Sequence, residues 1–392
     1  MRHRQHSPHV AIACGGTGGH FFPGLAVGEA LLRRNSTVTL LVSDKKVDQT
    51  VAQSVAGIRS VVLPAVALRR DDLAGYLRGA WSSFRLCLRF FEESDPDAVF
   101  TTGGFTGVPA ILAAKAMRLG TFIHEANSVP GRANRLLAPW VDRSFAWFPQ
   151  AASRLSSRCI RSGMPLRSQL QSLDPAASRA SLGLDPGAPV LLVMGGSQGA
   201  SAVNLLVLRA LPYFRHRLPQ LQVVHLAGPN DEADLRAAYH AVRIRARVYP
   251  FLTEIELALG AASVVVSRAG ASSLAEFAAV ALPPILIPYP AAADNHQFHN
   301  ARAFVESGAA LQLDQGTDTP QTLADSIVQL VEDAARREKM REALRRWHSP
   351  NSAEEIAEWI LEQIRLEAAR RISPLHAVSH RPALLSGNAR LP

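Results

Sequence analysis

The chain reads as an α/β protein made of two doubly wound halves, each a parallel sheet covered by helices. Three observations predict this. Short apolar strands alternate with amphipathic helices along most of the sequence. Two strands, one from His9 and one from Val190, each run into a Gly-Gly-(Thr/Ser)-x-Gly turn and then a helix. A length of 392 residues favours two domains over one.

In order, HVAIAC is the first strand, GGTGGH its loop and PGLAVGEALLRR the helix, with Pro23 placed near the helix start. Further strands are predicted at Thr37–Val42, Ser60–Leu63, Ala98–Thr101, Thr121–His124 and Phe145–Phe148. The second series has a strand at Val190–Met194, the loop 195–199 and a helix at Ala202–Phe214. Strands at Val223–Ala227, Val264–Val266, Ile285–Ile287 and Ala310–Leu313 follow. The stretch from Gly163 to Pro189, rich in Ser, Pro and Gly, is the joint. We divide the chain into 1–165, 166–350, a C-terminal helix over 351–369 and a tail over 370–392 whose lack of periodicity reads as disorder.

Composition narrows the classes. Cys14, Cys87 and Cys159 are odd in number and lack metal spacing, which argues against a disulfide framework and a zinc site. The apolar run Val10–Cys14 is too short for a signal-peptide core, and glycines or prolines interrupt every long uncharged stretch, so no membrane span is expected. The net charge of +9 is uneven. Residues 1–168 hold 21 Lys and Arg against 11 Asp and Glu, whereas residues 169–392 hold 21 against 22. The basic half points to an anionic surface or ligand without saying which.

Within that half, Leu73, Leu77, Trp81, Phe84, Leu88 and Phe91 recur at helical spacing and predict one buried face. Arg78, Arg85 and Arg89 form a second stripe, with Leu86 and Phe90 on its far side. Two readings stand: a core helix with a solvated cationic flank, or a basic, partly apolar patch that rests on an anionic membrane.

The chemistry is expected at the glycine loops, where backbone N–H groups and a helix N-terminus suit phosphate. Neither loop is a Walker sequence or a Gly-x-Gly-x-x-Gly fingerprint, which disfavours a dinucleotide oxidoreductase. His20, directly after the first loop, is either a packing residue or a base near neutral pH. Asp95 and Asp97 read as turn residues at the wrong sheet edge for a metal–diphosphate site. In SRAGASSLAE, Ser273 and Glu276 have capping-box spacing; alternatively Glu276 grips the adjacent hydroxyls of a sugar while the helix start faces an anion.

Seven segments in order, GGTGGHFFPGLAVGEAL (15–31), TTGGFTGVPA (101–110), HEANSVPGRANR (124–135), SGMPLR (162–167), GGSQGAS (195–201), SRAGASSLAE (267–276) and DNHQFHNA (294–301), resemble the MurG family of glycosyltransferases over about residues 9–365. The resemblance implies a GT-B fold, two Rossmann-like domains facing each other across a cleft, with the C-terminal helix returning to the N-terminal domain. It also implies transfer of N-acetylglucosamine from UDP-GlcNAc, with inversion, to the 4-hydroxyl of the muramoyl sugar of undecaprenyl-pyrophosphoryl-MurNAc-pentapeptide. Carried onto this sequence, Glu276 holds the ribose and Leu252 packs at the uracil. Ala271, Ser272, Ser273, Leu274 and Ala275 supply backbone groups to the diphosphate, with Ser197 and Arg167 nearby. Gln297 contacts the donor sugar. Thr17, Gly18, Gly19 and Asn127 line the other wall, and the base is His20 or the His124/Glu125 pair.

The family commonly has Gln at Ala126, Asn at Met164 and, in some members, Gln at His296. No metal or cofactor is implied. The implied partners are UDP-GlcNAc, the undecaprenyl-linked acceptor and an anionic membrane surface at the cytoplasmic face, where the protein would be peripheral. Nucleic acid is not among them, and no protein partner is named. Two rivals remain: another GT-B UDP-sugar enzyme (an epimerase, or a transferase to a different acceptor) and an idle membrane scaffold.

Overall fold

The computed structural model describes residues 7–16, 18–44, 57–65, 72–155, 158–166, 170, 173–196 and 199–372. Two all-parallel sheets organise them. The first contains β1 (His9–Ala13), β2 (Thr37–Ser43), β3 (Ile58–Leu63), β4 (Ala98–Thr101), β5 (Gly120–Glu125), β6 (Arg143–Ala146) and β7 (Cys159–Arg161), in the order β3-β2-β1-β4-β5-β6-β7. The second contains β8 (Val190–Met194), β9 (Gln222–Leu226), β10 (Ala246–Tyr249), β11 (Val264–Ser267), β12 (Pro284–Leu286) and β13 (Leu311–Gln312), in the order β10-β9-β8-β11-β12-β13. The order of strand addition reverses beside the first strand of each sheet, between β1 and β4 and between β8 and β11. That reversal opens a crevice at the carboxyl ends of the strands.

The central strands are continuous apolar runs because helices cover both faces: β1 and β8 are buried at every position. The sequence pattern missed β7 and β10, strands of three and four residues with mixed exposure. Pro23 is not a first-turn residue. It lies inside the helix Gly18–Leu32, where it has no N–H to donate to the Gly19 carbonyl.

The helix Leu73–Ser94 also departs from expectation. Its buried residues are Ser83, Cys87 and Phe91, whereas Leu73, Leu77 and Trp81 are 58%, 58% and 61% exposed. The small Ser83 and Cys87 face inward because this helix packs against the helix Gly104–Ala116. Asp95 and Asp97 are turn residues as expected: Asp95 caps the helix in the left-handed region, and Asp97 accepts from the His9 amide at 2.8 Å.

The C-terminal helix Ser352–Ile372 returns to the first half. Ile356, Ala357 and Ile360 are fully buried in one cluster with Val10, Ile12, Val27 and Leu31. Its exposed side pairs Glu354 and Glu358 with Arg33 and Arg34. Each buried isoleucine stabilises by roughly 1.5–3 kcal/mol, against about 0–1 for an exposed ion pair, so burial holds the helix in place. The helix runs three residues into the predicted tail of 370–392, and the tail from residue 373 on lies outside the described residues. No described helix is long and apolar enough to cross a membrane.

Where the halves meet, Trp147, Phe148, Phe304 and Trp347 form an aromatic cluster. The Phe304 and Trp347 rings stack at 4.5 Å, and Trp147 Nε1 donates to the Trp347 carbonyl at 3.2 Å.

Candidate active site

The carboxyl edges of the two sheets face each other across a cleft of about 760 Å³. One wall carries Gly19 and His20, Gly104 and the loop 125–134; the other carries Gly195, residues 250–253, Gly270 to Ser273, Glu276 and Gln297. Glycine makes the close approaches possible. A Cβ at Gly15 would fall 2.3 Å from the Ser43 amide nitrogen, and Gly199, at φ 74°, would put one 2.8 Å from the Ala227 carbonyl.

On the first wall His20 is pinned twice. Its Nδ1 lies 3.0 Å from the Thr102 carbonyl, and Thr102 Oγ1 donates to the His20 carbonyl at 2.8 Å. A carbonyl only accepts, so in the neutral ring Nδ1 carries the hydrogen and Nε2 is the basic nitrogen.

The other base candidates are built differently. His124 is fully buried, and its Nε2 donates to the Gly163 carbonyl at 3.1 Å. Burial pushes its pKa down to about 4 against the opposing pull of that carbonyl, and the nearby His20 lowers it further. Glu125 is 2% exposed, and its carboxylate accepts from Asn127 N (2.8 Å), Asn127 Nδ2 (3.2 Å), Gly131 N (2.9 Å) and Asn134 Nδ2 (2.8 Å). These four donors make Glu125 the organiser of its own loop. His124 is closed off from the cleft, whereas Glu125 lines it with its carboxylate engaged by the loop.

On the second wall the helix Ala271–Ala279 starts at the N-cap Gly270, and no side chain caps it. The capping-box reading is therefore wrong: Ser273 is the third helical residue and Glu276 the sixth, beyond reach of that geometry. Gly270 has φ −68°, which any residue adopts, and a Cβ there would meet nothing within 4 Å. A side chain at 270 would obstruct only an occupant of the cleft. Ser272 Oγ is buried without a hydrogen-bond partner. An uncapped helix start beside an orphaned hydroxyl is chemistry suited to an anion.

Gln297 Oε1 accepts from Tyr289 N at 3.0 Å and Ala269 N at 3.3 Å, which turns its amide nitrogen away from them. Arg268, buried and absent from the sequence-based site, donates to the carbonyls of Ile287 (3.0 Å) and Pro288 (3.2 Å) and to Gln315 Oε1 (2.7 Å). Burial lowers its pKa, and it braces the turn before the helix.

The structure thus brings Gly19, His20, Asn127, Leu252, Ala271, Ser272, Ser273, Glu276 and Gln297 to one cleft. Gly18 is the first residue of its helix. Leu274 and Ala275 are buried in the core, and the Leu274 amide already donates to the Gly270 carbonyl at 3.0 Å, so that N–H is not left for a diphosphate. Thr17, Arg167 and Ser197 lie outside the described residues.

Sequence reasoning missed Asn300, which hydrogen-bonds Ser128 and Asn127 across the cleft. Its signal was its place in DNHQFHNA, three residues after Gln297 and hence on the same helix face.

Comparison with known proteins agrees. Residues 10–146 match the glycosyltransferase family 28 N-terminal domain and residues 190–359 the family 28 C-terminal domain. The UDP-N-acetylglucosamine–N-acetylmuramyl-(pentapeptide) pyrophosphoryl-undecaprenol N-acetylglucosamine transferase of Sorangium cellulosum (strain So ce56) is 40% identical over 372 residues, 93% of this chain and 90% of its own. The same transferase of Anaeromyxobacter sp. (strain K) is 35% identical over 364 residues, 91% of this chain and 93% of its own. Among solved structures, MurG of Acinetobacter baumannii superposes with a TM-score of 0.71 at 25% identity, covering 91% of this chain and 99% of that one. A putative UDP-N-acetylglucosamine 2-epimerase from Listeria monocytogenes shares the fold, with a TM-score of 0.69 at 14% identity over 92% of this chain and 97% of that one. With two parallel-sheet domains facing one cleft, and relatives of this identity along nearly its whole length, the chain belongs to the MurG family of GT-B glycosyltransferases.

Proposed function

We propose that the protein transfers N-acetylglucosamine from UDP-GlcNAc, with inversion, to the 4-hydroxyl of the muramoyl sugar of undecaprenyl-pyrophosphoryl-MurNAc-pentapeptide. One observation carries this reading: a single cleft sets an uncapped helix start with the orphaned Ser272 hydroxyl opposite a histidine whose basic nitrogen is defined. The relatives' name supplies the substrates.

Departure of UDP builds negative charge on the diphosphate. The amides of Ala271, Ser272 and Ser273, at the positive end of the helix dipole, stabilise that charge with no reorganisation. Glu276 holds the ribose, Leu252 packs at the uracil and the Gln297 amide nitrogen donates to the donor sugar. His20 Nε2, on the opposite wall, takes the acceptor proton as the new bond forms. The exposed Leu73, Leu77 and Trp81, flanked by the exposed Arg78, Arg85 and Arg89, seat the first half on an anionic membrane at its cytoplasmic face.

The test is direct. Incubation with labelled UDP-GlcNAc and the muramoyl lipid is expected to yield a labelled disaccharide lipid and free UDP. Release of UDP with no labelled lipid would defeat the acceptor assignment.

A further inference from the structure

Among the described residues, one side chain spans the cleft floor with every polar atom engaged. Asn300, on the helix His296–Glu306 of the second half, is fully buried. Its Oδ1 accepts from Ser128 N at 2.8 Å and Ser128 Oγ at 2.9 Å, both in the first half. Its Nδ2 donates to Asn127 Oδ1 at 3.1 Å, in the first half, and to the Ala269 carbonyl at 3.2 Å, in the second. The amide has only one orientation, because the Ser128 amide only donates and the Ala269 carbonyl only accepts.

That orientation propagates. Since Asn300 donates to Asn127 Oδ1, Asn127 must present Nδ2 to Glu125 Oε1, 3.2 Å away. Glu125 in turn holds Gly131 N and Asn134 Nδ2. At the other end, Ala269 is gripped at both its peptide groups by the same helix: its N–H by Gln297 at 3.3 Å, its carbonyl by Asn300. Another polar link across this part of the cleft, Asp294 with Arg132 and Arg135, is exposed and solvent-screened.

We infer that Asn300 is a positioning residue that sets the acceptor-side loop Asn127–Gly131 in place from the donor-side turn Ala269–Gly270. The inference rests on the transferase reading above for which wall takes which substrate. Asn300→Asp is the sharpest probe. The carboxylate would face Asn127 Oδ1 and the Ala269 carbonyl with no hydrogen to offer, and a flip of Asn127 would only turn its oxygen towards Glu125.

The experiment compares wild type, Asn300→Asp, Ser128→Ala and the double variant, using UDP calorimetry, kinetics on a short-chain muramoyl acceptor and small-angle scattering. Asn300→Asp is expected to raise the acceptor KM or lower kcat on the order of tenfold or more, with UDP affinity held within about twofold. It is also expected to enlarge the ligand-free radius of gyration. Ser128→Ala, which keeps the backbone donor, should shift the same parameters less, and the double variant should be no worse than Asn300→Asp. UDP affinity falling in step with acceptor use, or multiplicative effects, would overturn the inference.

If Asn300→Asp does not fold, Ser128→Ala decides alone, with unchanged acceptor kinetics counting against. A wild type that binds UDP yet makes no disaccharide lipid sinks the transferase reading instead, and the scattering comparison then decides the positioning.

Discussion

His20 and His124 are both histidines at the carboxyl edge of one sheet, and only their surroundings separate them. His20 lines the cleft with Nδ1 committed to Thr102, whereas His124 is fully buried, bonded to Gly163 and held neutral. His20→Ala is therefore expected to lower kcat by roughly 10²–10⁴-fold while leaving UDP-GlcNAc affinity close to wild type, measured by single-turnover kinetics beside calorimetry. Lost affinity with intact turnover would reassign His20 to the donor site. His20 and Glu276 were legible from a loop and a helix start, whereas Asn127 and Gln297 came only with the family resemblance. Saturation of Glu125 was not legible, since its donors Gly131 and Asn134 come from a fold-back of its own loop. The capping box failed for a similar reason: Gly270, not a serine, ends the loop.

At the scale of elements, the helix Leu73–Ser94 shows what periodicity does and does not reveal. Its 3.6-residue pattern was plain, yet it predicted one buried face through Leu73, Leu77 and Trp81, whereas the partner helix Gly104–Ala116 lies against the side carrying Ser83, Cys87 and Phe91. The predicted face is left outside at Leu73, Leu77 and Trp81. Near an anionic surface each basic side chain contributes about 1 kcal/mol. Neutralising Arg78, Arg85 and Arg89 together is thus expected to weaken binding to phosphatidylserine-containing vesicles by roughly a hundredfold, while turnover of a short-chain soluble acceptor stays intact. Unchanged sedimentation with vesicles would make the stripe an ordinary solvated flank.

For the whole molecule, the two doubly wound sheets were legible from the alternation of strands and helices, whereas the order shared by their first six strands was not, since the same rhythm serves other doubly wound orders. The hydrogen bonds between the halves were not, because they join residues more than 150 positions apart. Each half also buries a neutral histidine. His124 is held down to about 4, and His225, bonded to Tyr239 and Asn204, is held by burial down to about 3. A folded pKa below the unfolded value of 6.5 means that the unfolded chain takes up protons first. Stability is therefore full above that pH and falls as pH drops towards the folded values, each histidine adding up to about 1.4 kcal/mol per pH unit. Urea unfolding is expected to show a clear loss between neutrality and about pH 5, where few carboxylates yet titrate. A flat profile there would contradict it.

The chain passes between the halves twice, after β7 and again before the helix Ser352–Ile372, and the two passages touch. A Cβ at Gly163 would fall 2.2 Å from Ser349 Cβ and 2.7 Å from Ser352 Cβ. A single linker would be a ball joint, free to swivel in three directions. Two linkers in contact, beside the stack of Phe304 on Trp347, act as a pair of door hinges set on one line. Such a pair favours a swing about that line, opening or shutting the carboxyl edges, over a free swivel.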